Sequence, residues 1–198
     1  MPSLESTFVE LRARLKSVDR LDPTRADPLY HVVHAPEQTT ELMRALPRWR
    51  APLQQDGWQV RIHSLADVMW SAIDASNRWE DWLEQEPDAE PAEIIGAVRD
   101  ALQSKGQIKA PAGAGLPRAV KQLFSTASPD TVLLLTDAAL LHPFFRVRAI
   151  EDMVRDALVC PVVFFYPGTK HGQFGLRFLG FYEVDPNYRS NIIGRSGA

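Results

Sequence analysis

Two unbroken apolar runs constrain this chain more than anything else in it. Thr131-Val132-Leu133-Leu134-Leu135-Thr136 lies between Pro129 and Asp137, and Pro161-Val162-Val163-Phe164-Phe165-Tyr166 stops at Pro167-Gly168. A strand with one face in water alternates apolar and polar residues. Runs without alternation suit strands buried on both faces, the setting of a parallel sheet covered by helices. Between them, Arg148 to Leu158 carries Ile150, Met153, Val154 and Leu158 at helical spacing. Strand, helix, strand is the unit from which parallel sheets are built.

The rest of the chain extends this pattern. Leu4, Phe8, Leu11, Leu15 and Val18 predict an amphipathic helix over 4–18, and Asp22 to Pro28 reads as a loop. Leu29–His34 reads as a first strand. A helix follows from Pro36 to about Leu46, then a broken connection from Pro47 to Gly57. Trp58 to Ile62 alternates as a second strand, and Ser64 is placed to cap a helix beginning at Leu65. Gly175–Tyr182 reads as a further strand, and the tail from Asn191 as polar and frayed. Residues 65–125 look wholly helical and read as a lobe inserted between the second and third strands. Pro91 opens a helix there that stops near Gly106. The expected architecture is one α/β domain over 1–198, a mostly parallel sheet with helices on both faces.

A chain of 198 residues can bury a core without disulfides, and with one cysteine it can form none within itself. Cys160, just before an apolar run, reads as a small buried hydrophobe. A net charge of −3 gives no global attraction to nucleic acid or anionic lipid. The charged N-terminus resembles no signal peptide, and no apolar run approaches the ~20 residues of a membrane span. A cytoplasmic protein without membrane contact is expected.

Catalytic constellations are scarce. A phosphate loop needs glycines and a lysine after the first strand, but Ala35-Pro36-Glu37-Gln38-Thr39-Thr40 has neither. Leu133 to Asp137 resembles the strand that delivers a magnesium-binding acid in nucleoside triphosphatases. Asp137 is therefore either that acid or a turn residue at a strand end. A P-loop-NTPase-like topology that lacks the phosphate loop accommodates both observations. His31 and His34 fall on opposite faces of a strand, and His63, His142 and His171 have no ligand-type neighbours at metal spacing. No metal, cofactor or catalytic residue is assigned. Glu151, Asp152 and Asp156 share a helix with Arg148 and Arg155 and read as a solvated, ion-paired face.

Binding features are easier to find. Asp74 to Asp100 holds nine acidic residues against Arg78 and Arg99. Within it Trp79 and Trp82, three apart, are neighbours on one helical face. They either pack inward or anchor a partner, a role in which tryptophan is enriched. Lys105, Lys109, Arg118 and Lys121 then form a basic stretch, either a solvated surface or contacts to nucleic-acid phosphates.

The last third carries an ordered series: Leu133 to Asp137, His142-Pro143-Phe144-Phe145-Arg146, Tyr166-Pro167-Gly168, Leu176 to Gly180, and Asn187-Tyr188-Arg189. Together these resemble the BrxB family, the small B component of bacterial BREX phage-defence systems. The likeness covers roughly 130–193, with weaker support from the strand at 29–34 and the helix after it. The family tends to have a glycine-containing turn where this chain has Asp137-Ala138-Ala139-Leu140. The resemblance implies a non-catalytic accessory subunit that binds other BREX proteins, the alkaline-phosphatase-like component foremost, and it carries over no catalytic residue. Phe144, Arg146, Tyr166, Gly168, Tyr188 and Arg189, with Trp79 and Trp82, are the candidate contacts, since arginine and tyrosine suit interfaces. Arg146 reads equally as an internal bridge that fixes its turn, and Gly168 as a turn glycine with positive φ. A degenerate nucleotide- or DNA-binding module of the same complex is the second expectation. A nuclease or other hydrolase comes last, for want of an acid cluster.

Overall fold

The computed structural model describes residues 3–18, 28–103 and 115–194. Lys105 and Lys109 lie outside the described residues, as do most of the loop read at 22–28, the stop at Gly106 and the last four residues.

Helix α1 (Leu4–Lys16) starts at Ser3, whose hydroxyl accepts from the Ser6 amide. Strand β1 (Leu29–His34) is buried along its whole length. Helix α2 (Thr39–Gln55) departs from expectation because it runs through Pro47 and Pro52. An internal proline costs a helix about 3 kcal/mol. Leu42, Leu46, Trp49 and Leu53 are all buried from it, each worth about 1.5–3 kcal/mol or more, so one buried face outweighs two breakers. Strand β2 (Gln59–Ser64) leads directly into α3 (Leu65–Asp74), whose cap is the expected Ser64, accepting from the Asp67 amide.

Helices α4 (Trp79–Gln85), α5 (Pro91–Leu102) and α6 (Leu116–Ser125) precede the apolar strand β3 (Thr131–Thr136). A short 3-10 turn, Ala138–Leu141, and helix α7 (Val147–Val154) connect it to β4 (Val162–His171). β4 outruns the apolar segment by five residues and pairs antiparallel with β5 (Gly175–Phe178), which pairs with β6 (Val184–Asp185). The strand expected over 175–182 ends at Phe178, because Leu179 and Gly180 turn the chain with φ of 52° and 81°. The polar-looking tail is not frayed at Asn191. It forms β7 (Asn191–Gly194), pairing parallel with β1 and burying Ile192 and Ile193.

The main sheet runs β2-β3-β4-β1-β7, every neighbouring pair parallel. Alternate residues divide between its faces. Tyr30, Val32, Val132, Leu134, Val163 and Phe165 pack with α1 and α2. Leu29, Val33, Leu133, Leu135, Val162 and Phe164 pack on the other side with α3, α6 and α7. Between β2 and β3 the described residues are helical, but α3 and α6 belong to that second core. α4 alone among these helices buries no residue.

Candidate functional site

The ends of β3 and β4 and helices α4 and α5 bring most of the candidate residues to two neighbouring concavities. The first is a groove of about 670 Å³. Trp79 and Trp82, on α4, meet edge to face with ring centroids 5.7 Å apart, and Trp79 stacks on Trp70 of α3 at 6.1 Å. The Trp79 indole donates to Asp74 Oδ1 at 2.8 Å. Ile94 and Val98 of α5 and Phe144 complete the apolar floor. Trp70 is 51% exposed, Trp79 40% and Leu83 63%, so this aromatic surface faces water. Trp49 and Trp58, by contrast, belong to the core against α1 and α2.

Arg99, which the sequence offered only as a counter-charge, joins the groove to the turn after β3. Its guanidinium donates to the carbonyls of Pro143 at 3.1 Å and Phe144 at 3.4 Å. Asp137 begins that turn with φ 59°, and its carboxylate accepts from the Thr136 hydroxyl at 2.8 Å. The Asp137 side chain makes no cap hydrogen bond to the turn that it begins.

The second concavity, about 370 Å³, lies beyond the carboxyl end of β3, against the middle of β4, and is lined by His142, Arg146, Tyr166, Phe178, Tyr182 and Tyr188. Tyr182 and His142 meet at 2.7 Å, hydroxyl to Nε2. The structure corrects the surface reading of two tyrosines. Tyr166 and Tyr188 are buried walls, sharing a hydrogen bond, and burial pushes both phenols well above their ordinary range. Gly168 is buried inside β4, not in a turn. A Cβ there would lie 2.1 Å from the Arg177 carbonyl oxygen, so close pairing with β5 excludes a side chain. Among the described residues, Arg146 makes no internal bridge. Its backbone carbonyl caps α7, while among the described residues its exposed guanidinium has no hydrogen-bond or ion-pair partner. Arg189 is exposed around the corner, beside Arg148 and Asp152. Arg118 and Lys121 are exposed on α6, away from both concavities.

Behind the tyrosines sits a polar group that sequence reasoning placed in solvent. Glu151 is 1% exposed. Arg155 pairs with its Oε1, and Oε2 lies 3.9 Å from Nε2 of buried His31. Neither Oε2 nor that Nε2 has a hydrogen-bond partner among the described residues. Burial, opposed by Arg155, pushes the Glu151 carboxyl up to about 7. Burial and then the Arg155 charge push His31 down to about 3. His31 Nδ1 meets the Ser190 hydroxyl at 2.7 Å. Arg148 does not share the Glu151 site; it pairs with Asp185 at 2.5 Å and with Asp152 at 3.8 Å. The signal missed was that Glu151 stands four residues after Val147 and three before Val154, both buried on the same face of α7. Only the sheet order brings β1 there.

Fold and surface define an α/β protein with a mostly parallel sheet and two concavities lined by aromatic residues. Among the described residues, no three His, Cys, Asp or Glu side chains converge as metal ligands, and no helix is long and apolar enough to cross a membrane. The family model described as BREX protein BrxB matches residues 61–193, and the chain belongs to that family. The matched stretch takes in the helices between β2 and β3 as well as the C-terminal motifs, whereas β1 and α2 lie outside it. No curated protein and no solved structure gives a significant match. Membership implies a component of a BREX phage-defence system, with other BREX components as partners.

Proposed function

We propose that this chain is a non-catalytic adaptor of the BREX complex. It holds another BREX protein, the alkaline-phosphatase-like component, through the groove between α4 and α5. The carrying observation is the exposed cluster of Trp70, Trp79 and Leu83 beside Trp82 and Phe144. Monomeric proteins rarely leave a contiguous aromatic surface in water unless it binds something. Tryptophan concentrates binding energy because it joins large area to few rotatable bonds. The fold reading that accompanies this is a P-loop-NTPase-like topology that has lost its phosphate loop, with residues 65–125 as the inserted lobe. It is supported by the interior position of β1 in the sheet and by the glycine-free turn Ala35 to Thr40. The partner lies in the cytoplasm with the adaptor.

The test is affinity purification of the tagged chain from its host, followed by mass spectrometry. Near-stoichiometric recovery of the phosphatase-like component, lost in Trp79→Ala with folding intact, supports the adaptor. Recovery of the chain alone, or equal recovery with Trp79→Ala, counts against it. The second reading, nucleic-acid binding, keeps Arg118 and Lys121, which stand exposed three residues apart on α6. It requires salt-dependent retention on duplex DNA.

A further inference from the structure

The chemistry around the groove restricts what can enter it, given the docking reading above. Its floor is apolar, yet the charged residues that line it are Glu84, Glu86, Asp88 and Glu93. Among the described residues, no basic residue lines it. Glu80 and Asp81 add to the same end of the molecule from α4, and Glu90 from the turn before α5. Among the described residues, none of the four lining carboxylates has a cationic partner. Arg99, on α5, is committed to the carbonyls of Pro143 and Phe144.

An occupant without positive charge would strip water from several carboxylates and return nothing for it. A cation gains twice. It relieves mutual repulsion among the acids, and it finds the negative faces of exposed indoles at Trp70 and Trp79. We infer that the groove receives a segment of a partner protein whose apolar anchor side chains are flanked by lysine or arginine. The anchors fill the floor between Trp82, Ile94 and Phe144, and the cations lie over the rim. This is the helix- or strand-in-groove mode of recognition with its charge pattern specified.

The probe is a pair of synthetic peptides with identical leucine and phenylalanine anchors, one carrying lysines between them and the other glutamates. Each is titrated into the full chain while tryptophan emission is followed. Trp49 and Trp58 are buried, so a shift reports on the groove. The lysine peptide is expected to bind and shift the emission. Its Kd should rise about tenfold or more in the double variant Glu84→Lys/Glu86→Lys, and similarly between low salt and ~0.5 M salt. Both positions are exposed on a helix and turn that bury nothing, so the variant should fold. If it does not, Glu93→Lys repeats the test from α5. Equal binding of both peptides, or binding indifferent to charge reversal, overturns the inference. In the native complex the two readings separate. Loss of the partner on Trp79→Ala but not on charge reversal defeats the basic-segment inference and leaves docking standing. Retention in both variants defeats docking itself.

Discussion

Glu151 offers a prediction whose sign alone discriminates between two physical accounts. Its carboxyl is buried, touches Arg155 through one oxygen and faces His31 with the other. If Arg155 wins, the group stays ionised in the fold. If burial wins, it holds its proton up to about 7, against an ordinary value of 4.5. In the second case the unfolded chain releases that proton from about pH 4.5 upward, while the folded chain keeps it until about pH 7. Folding stability attributable to Glu151 is then full below pH 4.5 and falls as pH rises through 7. The shift corresponds to roughly 3 kcal/mol at about 1.4 kcal/mol per unit. His31 acts oppositely. Depressed from 6.5 to about 3, it contributes stability above pH 6.5 that is lost as pH falls toward 3. Wild-type stability alone mixes the two. The difference between Glu151→Gln and wild type isolates the Glu151 contribution together with its coupling to His31 across 3.9 Å. Urea denaturation at a series of pH values between ~4.5 and ~7.5 measures that difference. The variant should gain on wild type by up to about 3 kcal/mol as pH rises. A difference that is flat, or that falls with pH, refutes the dominance of burial and shows Arg155 holding the carboxylate charged.

Gly168→Ala should cost at least ~2 kcal/mol in urea unfolding, because the added methyl meets the Arg177 carbonyl of the paired strand; a change under half of that would show that β4 and β5 separate easily. Trp79→Ala should weaken partner binding by about 2 kcal/mol or more, roughly thirtyfold, measured by titration against the purified partner. Its thermal midpoint should barely move, since α4 buries no residue; a large drop in midpoint would make Trp79 a packing residue instead. Asp56 is held down to about 2 by Arg12, which ties α1 to the end of α2 at 2.5 and 2.8 Å. Asp56→Asn should therefore lower the thermal midpoint at neutral pH, with the deficit vanishing as pH falls through about 2; a deficit independent of pH refutes the pairing. Cys160 is buried and its thiol is pushed up to about 12, so a thiol reagent should modify it only on unfolding. Rapid modification of the folded chain at neutral pH would contradict that burial.

Local sequence determined the elements whose signal is local. Unbroken apolar runs placed β3 and β4, helical periodicity placed α1 and α7, and Ser64 marked the start of α3. The ordered motifs from Leu133 to Arg189 were enough to indicate the family. The tertiary structure decided everything that depends on distant segments. α2 survives two prolines because a sheet lies beneath its buried face. The four residues of β7 have too little length to show a period, and they become a strand because β1 presents an open edge. Tyr166 and Tyr188 looked like contact residues and are walls, since β5 and β6 fold back over the end of β4. Trp79 and Trp82 were visible as a pair, but their grouping with Trp70 and Phe144 required α3, α4, α5 and the turn after β3 to converge. Glu151 looked solvated because its helix carries arginines at the right spacing. Burial is set by which strand lies underneath, and the spacing of the arginines carries no information about that.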